Sequence, residues 1–229
     1  MIVSIHQPNY LPYIGFFSKM KQSDVFVIMD IAQYVRRDFH NRNRIKTPNG
    51  PMWLTIPVKH NRSFKQRICD IKLPEDREWA KKHWVALQRN YAKTEFFEQY
   101  SPFFKELFEN PPGTLSELNE KIILYLTEAF GIKTKVVRSS QFQVDENLKA
   151  TDLLINIIKK AEGDTYLSGK GREGHDHYIE EDKFEKAGIK LKFQEFNHPV
   201  YRQKFQDFLP NMAAVDLLFN EGENSVNFI

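Results

Sequence analysis

Cysteine is almost absent from this chain: among 229 residues, Cys69 is the single thiol. That excludes an internal disulfide, and with it the small stapled folds of secreted domains; it also excludes any cysteine-based metal cluster. Long apolar runs are missing too. No stretch approaches the roughly 20 residues that cross a bilayer as a helix. The amino terminus has no basic segment followed by an apolar core and a small-residue cleavage site, so the expectation is a cytoplasmic protein without a membrane span. A large charge of one sign is lacking as well, the net being only +3, too little to argue for a general polyanion binder. Finally, no GxGxxG, GxSxG or HExxH occurs, and the common dehydrogenase, hydrolase and metalloprotease readings lose their support.

What is present describes a folded enzyme-sized chain. Hydrophobic residues make up 41% and aromatics 14%, well clear of disordered composition. The length suits a single domain over 1–229 with a helical elaboration. The positive charge is concentrated: from Tyr34 to Lys46 the chain carries Arg36, Arg37, Arg42, Arg44 and Lys46 against Asp38 alone. That stretch holds more than the whole net charge, as expected for a local anion site.

The hydrophobic pattern gives the fold class. Ile2 to Ile5 is a short apolar run, Tyr13 to Met20 places Ile14, Phe17 and Met20 on one helical face, and Val25 to Met29 is apolar on both faces. Strand, short helix, strand is a βαβ unit with a buried parallel strand. A hairpin follows, Arg44-Ile45-Lys46 into the turn Thr47-Pro48-Asn49-Gly50 and back along Met52 to Val58. A further strand is expected around Ile68, Ile71 and Leu73. Helices are expected from near Pro74 to Tyr91, over Phe96–Phe108, and after the capping box Thr114-Leu115-Ser116-Glu117, ending at Gly131. The sheet resumes with a strand over Thr134–Ser139, a helix over Ala150–Ala161 ended by Gly163, and a strand over Thr165–Gly169. A helix over His177–Ala187, an edge strand over Ile189–Phe193 and a final helix capped by Asn211 complete the chain. The fold class is therefore α/β, a Rossmann-like, mostly parallel sheet flanked by helices, with a β-hairpin and helical segment inserted at about 40–130.

Open α/β sheets bind ligands outside the carboxyl ends of their strands, and three strand ends here are polar. The first opens into His6-Gln7-Pro8-Asn9-Tyr10-Leu11-Pro12, the second ends in Asp30, and the third in Ser168-Gly169. His6 is read as a general base or oxyanion partner, and Asp30 as the carboxylate that orients it or the substrate. The bland alternatives are a buried histidine satisfying loop carbonyls and a carboxylate capping the next turn. Gln7, Asn9 and Tyr10 add neutral donors. Arg37, Asn41, Arg42 and Arg44 offer guanidinium forks and amides to phosphate or carboxylate, against the ordinary reading of a solvated charged face. His198, after the last strand, is a third catalytic candidate, with Tyr201 beside it. Ser168-Gly169-Lys170-Gly171 has some of the character of a phosphate loop but not the full pattern. His175, Asp176 and His177 have only a loose metal-ligand spacing, and neither metal nor cofactor is assigned.

The same residues resemble the WbqC-like family. The likeness runs through His6-Gln7-Pro8-Asn9-Tyr10-Leu11-Pro12 with Gly15, Asp24-Val25-Phe26-Val27 with Asp30, and Asn41-Arg42-Asn43-Arg44-Ile45-Lys46. It continues in Asn49-Gly50, Trp53-Leu54-Thr55, Tyr166-Leu167-Ser168-Gly169 and His198-Pro199-Val200-Tyr201, and ends with Pro210-Asn211 and Asp216 to Asn220. The chain departs from the family pattern after Gly169, where the resemblance expects a proline at Lys170. It implies a role in surface-polysaccharide (O-antigen, lipopolysaccharide) biosynthesis, a transferase acting on a nucleotide-activated sugar or related anionic small molecule, with glycyl or aminoacyl transfer proposed for some members. A looser likeness links the opening to class I nucleotidyltransferases, of whose paired histidines only His6 has a counterpart. Two other classes stay open: a nucleic-acid or tRNA-binding protein using the Arg36–Lys46 segment, and a noncatalytic ligand-binding protein. Aminoacyl-tRNA is the partner that would join the first two readings.

Overall fold

In the computed structural model the described residues are 1–59, 66–145, 147–169, 179–205 and 207–229. The segment containing Lys170, His175, Asp176 and His177 lies outside them. The chain forms two compact units, one built from Met1–Gln7, Ser18–Ile31 and Lys133–Asn197, the other from Pro8–Phe17, Ala32–Ile132 and His198–Ile229.

The first unit is a five-stranded sheet of β1 (Ile2–His6), β2 (Val25–Ile28), β5 (Lys135–Arg138), β6 (Thr165–Ser168) and β7 (Lys190–Phe193). The strand order is β5-β2-β1-β6-β7, and every pairing is parallel. Counted along the chain this is 3-2-1-4-5, the order of a doubly wound sheet. The expected α/β, Rossmann-like architecture is what the chain adopts. Helix α1 (Ile14–Lys21) connects β1 to β2, and α5 (Ala150–Lys160) and α6 (Glu181–Lys186) complete the crossovers. All four residues of β2 are buried, because a central strand is covered on both faces. One face of the sheet packs Val3, Ile5, Val25, Val27 and Tyr166 against Ile157 and Ile158 of α5 and Phe184 of α6, with the Tyr166 and Phe184 rings stacked at 5.5 Å. The edge strand β7 keeps Lys190 and Lys192 exposed, which blunts pairing with another chain.

The second unit holds the inserted hairpin, β3 (Arg42–Thr47) and β4 (Gly50–Thr55), and four helices: α2 (Glu78–Tyr91), α3 (Phe97–Glu109), α4 (Leu115–Ala129) and α7 (Val215–Glu221). Its core is aromatic. Phe219 of α7 meets Tyr91, Phe97 and Phe104 at 5.4, 5.1 and 5.8 Å. The capping box forms as the sequence requires, Glu117 N–H donating to Thr114 Oγ1 at 3.3 Å and Thr114 N–H to Glu117 Oε2 at 3.1 Å.

Three local expectations are corrected. The strand expected around Ile68–Leu73 is a 3-10 turn over Ile68–Asp70, flanked by isolated bridges Gln33–Arg67 and Lys72–Thr114; the spacing of three between Ile68 and Ile71 was a turn period, not a strand period. The hairpin's return strand stops at Thr55 rather than Val58, since Pro57 has no N–H for a ladder. Asn211 does not cap the last helix: it adopts a left-handed backbone (φ 60°), and the helix begins at Val215 after Ala214. Gly163 follows the end of α5 as expected, and the left-handed backbone there is at Glu162 (φ 60°). A Cβ at Gly163 would lie 2.4 Å from Val3 Cγ2.

Candidate functional site

In a sheet of this order the crevice opens where the winding reverses, between β1 and β6. These strands pair at Ile2–Thr165 and Val3–Tyr166, whereas β1 and β2 stay in register up to His6–Ile28. Peptide groups in a central strand alternate between neighbours. The Met1 carbonyl accepts from Asp164 and Thr165 on the β6 side, and the His6 carbonyl accepts from Met29 on the β2 side. The Ile5 carbonyl therefore faces β6, but the group that donates to it is the amino group of Lys19, at 2.9 Å. A lysine side chain from the end of α1 has entered the fork between the strands.

That amine is withdrawn from water. Lys19 is only 3% exposed, and its Nζ lies 6.0 Å from the centre of the Phe26 ring. Burial pulls its pKa down from 10.5 to about 7, because the charged form loses its hydration. Gly169, at the end of β6, is the nearby residue without a side chain: a Cβ there would stand 3.9 Å from Lys19 Nζ.

Around the fork lie the expected strand-end residues of this unit. His6 is half-buried and its Nδ1 lies 2.9 Å from the Gln7 carbonyl. A carbonyl can only accept, so Nδ1 holds the proton and Nε2 is the basic nitrogen of the neutral ring. By strand alternation His6 shares a face with Ser4 and Phe26, the face covered by the end of α1, where Ser4 Oγ meets Ser23 Oγ at 2.6 Å. Ser168 is buried; its Oγ donates to the Gly169 carbonyl at 3.2 Å and its carbonyl accepts from Gln194 N–H at 2.7 Å. Asp30 is buried, and both carboxylate oxygens receive donors from the turn after β5: Ser139 Oγ at 2.8 Å and Ser140 N–H at 2.9 Å on Oδ1, Ser140 Oγ at 2.5 Å on Oδ2. Asp30 is thus engaged as a cap of that turn.

The remaining expected residues belong to the second unit. Tyr10 is wholly buried, its hydroxyl 2.7 Å from His83 Nδ1, so its place is in the core; Asn9 is half-buried beside it. The opening loop is tied to the hairpin by Asn43 Nδ2 donating to the Leu11 carbonyl (2.6 Å) and by Asn119 Nδ2 donating to the carbonyls of Pro8 (2.9 Å) and His40 (2.8 Å). Asn41 is buried, donating to the Ile56 carbonyl at 2.7 Å, while its Oδ1 accepts no hydrogen bond from the described residues. Arg42 and Arg44 share one face of β3, and Arg44 lies directly across from Trp53. Their guanidinium carbons lie 4.4 and 5.5 Å from the Trp53 ring centre, and Trp53 is 44% exposed. Arg42 also donates to the carbonyl of Arg37, a residue with a left-handed backbone (φ 67°). Lys46, grouped with these cations in the sequence, turns inward instead and donates to Gln203 Oε1 (3.0 Å) and the Asp207 carbonyl (2.6 Å).

His198 accepts from Asn211 N–H at its Nε2 (3.0 Å), so Nδ1 keeps the proton and donates to the Pro199 carbonyl (2.8 Å). Burial lowers its pKa, in keeping with a neutral ring. Tyr201 is buried and donates to Asp216 Oδ2 at 2.8 Å, while Tyr91 donates to Asp216 Oδ1 at 2.9 Å and Gln203 Nε2 to Oδ2 at 2.8 Å. Burial raises the Asp216 pKa against these donors.

The expected site residues thus form two sets. His6, Gln7, Asp30, Ser168 and Gly169 occupy the carboxyl edge of the first unit; Asn9, Tyr10, Arg37, Asn41, Arg42, Arg44, His198 and Tyr201 belong to the second. Sequence reasoning missed Lys19, His83, Asn119 and Asp216. For Asp216 a signal existed, a lone carboxylate entering the apolar run Leu217-Leu218-Phe219. Lys19 gave none, since a lysine in the last turn of a short helix reads as a solvated cap. Among the described residues no group of three His, Cys, Asp or Glu side chains is placed to hold a metal ion, and no helix is long and apolar enough to cross a membrane.

Comparison with known proteins decides the family. The model of the WbqC-like protein family matches residues 7–228. The chain belongs to the WbqC-like protein family. It is also 31% identical over 229 residues to the uncharacterized protein Rv1507c of Mycobacterium tuberculosis, covering 99% of this chain and 96% of that protein. The WbqC-like match opens at Gln7, one residue past the end of β1, and includes Lys19, Ser168 and Gly169.

Proposed function

We propose that this protein is a transferase of surface-polysaccharide (O-antigen) biosynthesis, working in the cytoplasm on a nucleotide-activated sugar or a related anionic substrate, with glycyl or aminoacyl groups among those transferred. The observation that carries this reading is the fork at the winding reversal, which opens between His6-Gln7 and Ser168-Gly169, the place where doubly wound sheets take ligands. In it His6 is the general base: its Nδ1–H donates to the Gln7 carbonyl, which fixes the ring, and Nε2 is the nitrogen that takes the proton of an attacking hydroxyl or amine. Asp30 serves as a positioning residue that holds the 139–140 turn beside the edge. Binding and chemistry separate in the test. His6→Ala is expected to abolish turnover of the nucleotide-sugar that most raises the melting temperature in a ligand screen, with affinity within about threefold of wild type. Wild-type turnover by that variant would remove His6 from the chemistry.

One observation favours the second reading, a single-stranded nucleic-acid or tRNA partner: Trp53 is exposed and flanked by the Arg42 and Arg44 guanidinium groups. An aromatic face with cations beside it is how bases are stacked and phosphates neutralised. Affinity for tRNA that falls steeply with salt and collapses in Trp53→Ala would support it; salt-independent binding would not.

A further inference from the structure

Among the described residues two lysines are buried, and they differ in how they are satisfied. Lys46 has a side-chain amide and a carbonyl as acceptors, with the carboxylates of Asp207 and Asp216 nearby. Among the described residues Lys19 donates to the Ile5 carbonyl alone, and no carboxylate of theirs forms an ion pair with it. An ammonium has three donors, so two of its N–H bonds are without an acceptor among the described residues. They are located where β1 and β6 part, with the side-chain-free Gly169 beside them. Among the described residues, the groups facing Lys19 supply no counter-charge. On β1 the ionisable residue of that face is His6; β2 offers only Val25-Phe26-Val27-Ile28, and the one ionisable residue of β6, Tyr166, packs on the opposite face with Val3 and Phe184. On its own helix Lys21 is exposed, and Asp24 is bonded to the Ile2 N–H at the other end of the strand.

We infer that the β1–β6 fork is an oxyanion site with Lys19 as its cation: a phosphoryl group of the substrate enters beside Gly169 and is held by the Lys19 amino group, which takes up a proton from solvent as the anion binds. This deepens the function proposed above, since it rests on the fork being where the substrate binds. The chemistry is proton gain at one nitrogen with no covalent step. Above pH 7 an amine with its pKa pulled down to about 7 is mostly neutral, and an arriving dianion restores the charged form by giving it a partner. Binding and protonation are therefore linked, and each must strengthen the other.

The test is calorimetric. Uridine diphosphate is titrated into the full chain between pH 7 and 9, in buffers of different ionisation enthalpy; its own terminal phosphate, with a second pKa near 6, is already ionised there. Expected is uptake of close to one proton per nucleotide at pH 8, with affinity falling roughly tenfold per pH unit above pH 7. Lys19→Met, in which the buried amine is replaced by an apolar chain of similar shape, should bind at least about tenfold more weakly at pH 7 and lose the pH slope. Sulfate, which does not titrate in this range, identifies the source: competition by sulfate marks a site for oxyanions generally, and its absence marks one that needs the nucleotide. Tight binding by wild type without proton uptake, unchanged in Lys19→Met, would overturn the role of Lys19 while leaving the transferase reading intact. No binding of either probe by wild type would overturn both.

Discussion

Lys19→Met should stabilise this protein, and by an amount that depends on pH. The side chain is almost wholly buried and its pKa falls from 10.5 to about 7. A shift of that size corresponds to ~5 kcal/mol between the two protonation states. Its sign is fixed by linkage: the folded state binds the proton more weakly than the unfolded chain does, so the contribution is favourable only above the unfolded value and is lost as pH falls toward 7. Near pH 6 almost the full ~5 kcal/mol works against folding; near pH 9.5 only about 1–1.5 kcal/mol remains. Methionine removes this cost but leaves the Ile5 carbonyl without its 2.9 Å donor, a loss of about 1–2 kcal/mol. The net expectation is a gain of about 3 kcal/mol at pH 6 that shrinks to near zero at pH 9.5. Urea unfolding of wild type and variant at four pH values, followed by circular dichroism, measures it. Stability differences that stay constant across that range, or a variant less stable than wild type at pH 6, would refute the argument that a buried, uncompensated amine occupies the fork.

Two further perturbations probe the second unit. Burial pulls His83 down from 6.5 to about 4, so its contribution is present above pH 6.5 and lost as pH falls toward 4, about 3 kcal/mol in all; replacing both partners, Tyr10→Phe with His83→Phe, should flatten that limb of the acid-unfolding profile, and an unchanged limb would assign the loss elsewhere. Asp216→Ala strands two buried hydroxyl donors, from Tyr91 and Tyr201, and removes one acceptor of the half-buried Gln203 amide, and should cost about 3–5 kcal/mol in urea unfolding; a cost below about 1 kcal/mol would mean the network is not what holds α7 in place.

The fold was legible wherever a pattern was long or two-sided. Val25 to Ile28 announced a central strand because four successive apolar residues have no other comfortable place, and Thr114 with Glu117 announced a helix start because both halves of the reciprocal cap are in the sequence. Legibility failed at short segments, where a spacing of three or two residues around Ile68 fits a turn as well as a strand. It failed for Asn211 because a good capping residue type was engaged elsewhere, its N–H committed to His198. For the site, strand position alone put His6, Gln7, Ser168 and Gly169 at one sheet edge, since topology fixes where strands end. The basic stretch was legible as composition and not as geometry: Lys46 and Arg42 carry the same charge, yet one is directed into the core toward Asp207 and the other lies over an indole.

Lys19 is where composition, pattern and capping rules all point away from what the chain does. A lysine ending a helix should lie in water, stabilising the helix dipole at little cost; here it is turned inward, toward a carbonyl that the diverging strands leave without a partner. A leucine or methionine would fill that space with no charge to desolvate. Structural need therefore does not account for the amine: the carbonyl it satisfies would otherwise cost about 1–3 kcal/mol, less than the ~5 kcal/mol that desolvating the charged amine corresponds to. Local rules broken without a structural return mark functional positions, and the balance here is unfavourable by about 2–4 kcal/mol. What restores the balance is an anion, which would turn the least favourable charge in this sheet into the group that holds the ligand.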